Sequence, residues 1–252
     1  MSRRIAGPAG KLAIDDGGQG HPVLFVHSLA GNTSHWSAQL DHLRKTRRAV
    51  ALDLRGHGRS EAPGNGDYAI EALAADIGMV ADALGLERFA LVGHSMGAGV
   101  ALAYAGAHPE RLTHLFVADP IGDGTQTPEA EVSPFLQALD SPAYVEVIEG
   151  YWSSIAGPNG AVLERLLRDL RETPRETVVR GLHAVRDFDP NPALARFRGP
   201  TLAVVTPAND YPYSMHRLGP GLPHLVVEGT GHWLQLDRPA EINRILDRFL
   251  KE

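Results

Sequence analysis

The chain has 252 residues, 43% of them apolar, and a formal charge of −6 from 30 acidic and 24 basic side chains. That length can bury a sizeable core, and the acidic balance argues against nucleic acid as the main partner, because phosphate binding needs a clustered positive face. There is no cysteine, which excludes disulfides and thiolate chemistry.

The opening stretch, MSRRIAGPAGKLAIDDGGQG, has arginines but no apolar segment behind them and does not read as a secretory signal. No apolar run approaches the roughly 18 to 20 residues a membrane helix needs. A soluble, cytoplasmic protein is expected, with a small molecule rather than a membrane or nucleic acid as its partner. Oligomeric state is left open between monomer and homodimer.

Six apolar runs follow in order: PVLFVH (22–27), RAVALDL (48–54), RFALVG (88–93), LTHLFVAD (112–119), PTLAVVT (200–206) and PHLVVEG (223–229). They are continuously apolar rather than alternating, as parallel strands covered on both faces should be. Helical patterns separate them. YAIEALAADIGMVADALGL repeats apolar residues at spacings of three and four, and RPAEINRILDRFL sets Ile242, Ile245, Leu246, Phe249 and Leu250 on one face behind Pro239. The basic LRKTRR patch after Asp41 reads as a solvated helix end. This alternation predicts an α/β fold, a doubly wound and mostly parallel sheet. Residues 120–199 break the rhythm with helix-like segments and no convincing strand. Such a block is too long for a loop. The expected organisation is a core of 1–119 and 200–252 with 120–199 inserted as a helical cap; the plainer alternative is that these helices only cover a sheet face.

Ligands of open parallel sheets bind beyond the carboxyl ends of the strands. Three reactive side chains fall there, in the order Ser95, Asp210 and His232. A serine hydroxyl is a poor nucleophile until a base takes its proton, and an imidazole base needs an acceptor for its other nitrogen. In LVGHSMGAG, Ser95 lies between Gly93 and Gly97 at a sharp strand-to-helix turn where a Cβ on either glycine would crowd the chain. The helix start also aims backbone N–H groups at a developing oxyanion. Asp119 ends a strand too, and competes with Asp210 for the role of acid. His94 should point away from the site, His57 reads as structural, and Asp53 reads as a loop-fixing carboxylate.

The stretches VLFVHSLAGNTSHW, ALDLRGHGRS, LVGHSMGAGVALAYAGAHPERL and GTGHWLQLDRPAEINRILDRFL resemble the α/β-hydrolase superfamily over nearly the whole chain. Within it the chain is most similar to small, cofactor-free esterases, enol-lactonases and non-haem haloperoxidases. The resemblance implies Ser95 as nucleophile, His232 as base and Asp210 as acid, an oxyanion hole from the backbone N–H groups of Leu29 and Met96, and no cofactor or metal. Two departures stand out. His27-Ser28 replaces the usual His-Gly, which leaves two alternatives for the loop: a different backbone or an additional hydroxyl donor. Pro207 replaces the glycine that usually opens the turn before the acid, and proline fixes φ and lacks an N–H.

The expected activity is hydrolysis of a small-to-medium carboxylic ester or lactone through an acyl-enzyme on Ser95. Two alternatives remain: carbon–carbon bond hydrolysis of a diketone on the same triad, and a non-catalytic small-molecule receptor. A dinucleotide site fails because Leu102 or Ser95 occupies a position that needs glycine. The candidate pocket comprises Ser28, Tyr144, Tyr151, Trp152 and Trp233. Arg55 is the one arginine near the turn that could meet a substrate carboxylate, which favours a neutral ester over a dicarboxylate enol-lactone.

Overall fold

The six apolar runs form the parallel strands of one sheet in the computed structural model, which describes residues 2–219 and 221–251. In chain order the strands are β1 (Ser2–Gly7), β2 (Gly10–Gly17), β3 (Pro22–Val26), β4 (Arg48–Leu52), β5 (Phe89–His94), β6 (Leu112–Ala118), β7 (Thr201–Val205) and β8 (His224–Val226). They lie in the order β1-β2-β4-β3-β5-β6-β7-β8. Only β2 runs against its neighbours, pairing antiparallel with both β1 and β4. The β1–β2 ribbon carries no continuous apolar run. It sits at the sheet edge, where Leu12 and Ile14 face inward and charged residues face out, so its sequence reads as polar.

The helices are α1 (Ser37–Leu43), α2 (Ile70–Ala83), α3 (Met96–Ala107), α4 (Glu129–Asp140), α5 (Tyr144–Ile155), α6 (Gly160–Glu172), α7 (Arg175–Asp187), α8 (Asn191–Arg196), α9 (Met215–Leu218), α10 (Leu234–Asp237) and α11 (Pro239–Phe249). Helix α3 is buried on nearly all sides between β5 and α2, which explains its small residues. Helix α11 lays Ile242, Ile245, Leu246 and Phe249 against the opposite face of the sheet. Helices α4 to α8 fill the interval between β6 and β7. Among the described residues, no helix is long and apolar enough to cross a membrane.

Two histidines are wholly buried where the β3 and β4 loops meet. His27 donates from Nδ1 to its neighbour's carbonyl at 2.7 Å and accepts the Leu54 N–H on Nε2 at 3.0 Å. The His57 ring lies 5.1 Å away, tilted by 56°, and donates from Nδ1 to the Arg55 carbonyl. Burial pushes both from 6.5 down to about 3. Between those values the unfolded chain binds two protons that the native chain does not, so stability is lost as pH falls from 6.5 toward 3. This pair alone should contribute a slope of about 2.7 kcal/mol per pH unit in denaturant titrations across that window. A flat dependence would contradict the burial of neutral imidazoles.

Candidate active site

Strand β5 ends at His94 and α3 begins at Met96, so Ser95 alone makes the turn, with φ 54° and ψ −119°. This conformation costs an L-residue about 1–3 kcal/mol. The turn is tied down on both sides: the Ser95 N–H donates to the Ala118 carbonyl at 3.0 Å, and its carbonyl accepts from Ala98 N–H at 2.9 Å. A Cβ at Gly93 would collide with the Gly97 carbonyl and Ala98, and one at Gly97 with the carbonyls of Val26 and His27. Ser95 reaches a cavity of about 620 Å³ that His232 and Asp119 also line.

His232 follows β8 and is fixed from three directions. Its N–H donates to the Ile155 carbonyl at the end of α5, and its carbonyl accepts from His94 Nε2, both at 2.8 Å. Its Nδ1 lies 2.6 Å from Asp119 Oδ2. His94, buried beneath it with ring centroids 4.8 Å apart, must carry its proton on Nε2, since a carbonyl only accepts. Gln235 then donates to His94 Nδ1 at 3.2 Å. Burial holds His94 well below the ordinary imidazole range, with the charge of His232 a lesser cause.

The carboxylate on His232 is Asp119, and this corrects the expectation for Asp210. Asp119 immediately follows β6, has φ 39°, and is buried. Its Oδ1 accepts the Thr206 N–H at 2.7 Å and the Thr206 hydroxyl at 3.0 Å, while Oδ2 faces His232 and lies 3.2 Å from the same hydroxyl. Asp210 is instead exposed and bound by Arg217, with N–O distances of 2.5 and 2.7 Å, and lies 3.4 Å from His216. The Arg217 guanidinium holds its carboxyl down at about 2. Pro207 supplies the physical reason. It opens a single 3-10 turn, Pro207–Asn209, that carries Asp210 outward to Arg217 while Asn209 turns in to donate to the Pro120 carbonyl.

Leu29 and Met96 lie on the loop after β3 and at the head of α3. Among the described residues, no protein acceptor takes either N–H. Neither residue lines the cavity wall. The loop takes its left-handed residue at Ala30 (φ 54°), so Ser28 tolerates its Cβ. The buried Ser28 hydroxyl accepts the Trp233 indole N–H at 3.1 Å.

Of the expected pocket residues, Tyr151 lines the cavity; Ser28, Tyr144, Trp152 and Trp233 do not. Trp233 is buried with its ring edge-on to His232 at 5.0 Å, and Trp152 packs behind it at 6.1 Å. Tyr144 instead sits under the Arg175 guanidinium at 4.7 Å. Arg55 is buried against Asp76 at 2.6 Å and is unavailable to a substrate. Asp53 accepts the N–H groups of Thr33 and Arg59, fixing two loops. The cavity's aromatic walls are Phe135 and Tyr151 from the helical segment and Tyr211 and Tyr213 from the loop after β7. Burial pushes the Tyr211 phenol up to about 12. The pair NDYPY just beyond a strand end was the available signal for these tyrosines.

The family model for the alpha/beta hydrolase fold matches residues 21–143. A dihydrolipoyllysine-residue acetyltransferase component of the acetoin cleaving system from Cupriavidus necator is 28% identical over 246 residues, covering 93% of this chain. The chain spans 64% of the length of that relative. A thermophilic esterase from Thermogutta terrifontis is 26% identical with a TM-score of 0.84, covering 100% of this chain and 98% of that one. An esterase from Exiguobacterium antarcticum superposes over 100% of both chains with a TM-score of 0.90 at 24% identity.

The short Asp119–His232 bond should give a downfield imidazole proton in the NMR spectrum. Asp119→Asn should abolish that signal and Asp210→Asn should leave it in place. The opposite pattern would return the pairing to Asp210.

Proposed function

We propose that this chain, whose residues 21–143 match the alpha/beta hydrolase fold, is a serine hydrolase cleaving a small-to-medium carboxylic ester or lactone through an acyl-enzyme on Ser95. The observation that carries this reading is the strained Ser95 turn opening on the same cavity as a histidine whose Nδ1 is held by a buried carboxylate at 2.6 Å.

Ser95 Oγ attacks the carbonyl carbon as His232 Nε2 takes its proton. Asp119 fixes the tautomer that leaves Nε2 unprotonated and stabilises the imidazolium that forms. The developing oxyanion is held by the N–H groups of Leu29 and Met96, for which there is no protein acceptor among the described residues. The imidazolium then protonates the leaving alkoxide. A water molecule, deprotonated by the same nitrogen, attacks the acyl carbon and releases the acid with Ser95 regenerated. The helices of 120–199 act as a cap: Phe135 and Tyr151 close over the core tyrosines and favour an apolar or aromatic group on the substrate.

A fluorophosphonate probe should label wild-type protein at Ser95 alone and leave Ser95→Ala unlabelled; absence of labelling in the wild type would sink the reading. On a p-nitrophenyl ester, Asp119→Asn should lower kcat by about 10⁴-fold through loss of the correct tautomer. Asp210→Asn should retain most of the rate, since its exposed pairing with Arg217 lies away from His232.

A further inference from the structure

Among the described residues lining the cavity, Arg186 on α7 is the only lysine or arginine. Its Nη1 donates to the Gly124 carbonyl at 3.0 Å and its Nη2 to Glu129 at 3.2 Å, which places the guanidinium at the rim. A guanidinium has five N–H donors in a planar fork. These two bonds leave Nε–H and a further N–H on each terminal nitrogen without a protein acceptor among the described residues. The side chain is half-buried, 21% exposed, and opens on the cavity it lines.

The carboxylates nearby do not satisfy it. Asp119 is committed to His232 and Thr206, and Asp123 is buried on Thr125 and Asn191. Glu131 is exposed at the same rim, where solvent screens it. Glu129 is 74% exposed and also accepts from Ser133, and an exposed pair of this kind contributes little. A ligand carboxylate could therefore displace Glu129 at small cost and take the fork in bidentate fashion. Phe135, Leu182 and Val185 give the same cavity apolar lining.

We propose that Arg186 is a specificity-determining residue that binds a carboxylate on the substrate, so that the preferred ester or lactone derives from an acid bearing a second carboxyl group. This rests on the Ser95 hydrolase reading and reverses the expectation of a neutral ester, which was based on Arg55.

The test compares mono-p-nitrophenyl esters of succinic, glutaric and adipic acids with the neutral esters of matching chain length. Wild-type kcat/KM should favour at least one anionic ester by about tenfold or more, the scale of a charge-assisted bond. Arg186→Gln should collapse that ratio toward one, Arg186→Lys should keep part of it, and Glu129→Gln should increase it by removing the competitor. Added salt should erode the preference. Turnover of neutral esters with no anionic preference, or a ratio indifferent to Arg186→Gln, overturns the inference and leaves the hydrolase reading intact. Binding of glutarate against butyrate, followed by calorimetry, reads the same selectivity without turnover. There, equal affinities overturn the inference, while selective binding without hydrolysis of any ester supports it and defeats the hydrolase reading instead.

Discussion

Three residues other than glycine hold a positive φ among the described residues: Ala30 at 54°, Ser95 at 54° and Asp119 at 39°. Each stands beyond the carboxyl end of a central parallel strand, β3, β5 or β6. Left-handed backbone costs an L-residue about 1–3 kcal/mol, and it persists only where the surroundings over-determine it. Here the determinants are strands buried on both faces, with Val23 to Val26 and Leu91 to Val92 wholly enclosed. The rigid centre of the sheet stores the strain, and the strain aims the loops. Without it the Ser95 hydroxyl, the Asp119 carboxylate and the His232 ring would not meet around one cavity.

The helical segment is part of that alignment and more than a cover. The end of α5 takes the His232 N–H on the Ile155 carbonyl, and the backbone at Ala156 and Gly157 approaches Gly231 so closely that a Cβ on Gly231 would collide with it. On the other side of the site, Asp169 of α6 accepts from His35 at 2.8 Å in a buried pair. Leu29 lies against Gly181 of α7, where a Cβ would strike it. Two of the loops that carry the site therefore owe part of their position to residues far along the chain. The histidine chemistry follows the same plan. His94, a neighbour of Ser95 in sequence, holds the backbone of His232, and burial keeps it neutral beneath the His232 ring.

Much of this was legible from local pattern. Strands β3 to β7 announce themselves as short, continuously apolar runs, because a strand covered on both faces has no polar side to show; β8 reads the same way in sequence, yet it is the edge strand, with Leu225 and Val226 open to solvent. Gly93, Ser95 and Gly97 announce the elbow because only hydrogen fits beside the crossing backbone. The β1–β2 ribbon escaped because an edge hairpin exposes one face, and its charges mask the alternation of Leu12 and Ile14. The pocket aromatics were harder. Trp152 and Trp233 have the composition of a binding site yet pack as a buried wall behind His232, whereas Tyr211 and Tyr213 reach the cavity from a turn with no periodicity to reveal it.

The amino-acid order by itself determined the fold class, the position of the elbow serine and the histidine before the final helices, since each depends on contacts or sterics within a few residues. Only the tertiary structure decided which aspartate joins them. Asp119 and Asp210 both follow parallel strands and look equivalent in a linear chain. The pairing of β6 with β7 puts Thr206 on one side of Asp119 and His232 on the other, while a proline-started turn carries Asp210 out to Arg217. A carboxylate's role is set by the donors that surround it, and those donors come from strands and loops that only the folded sheet brings together.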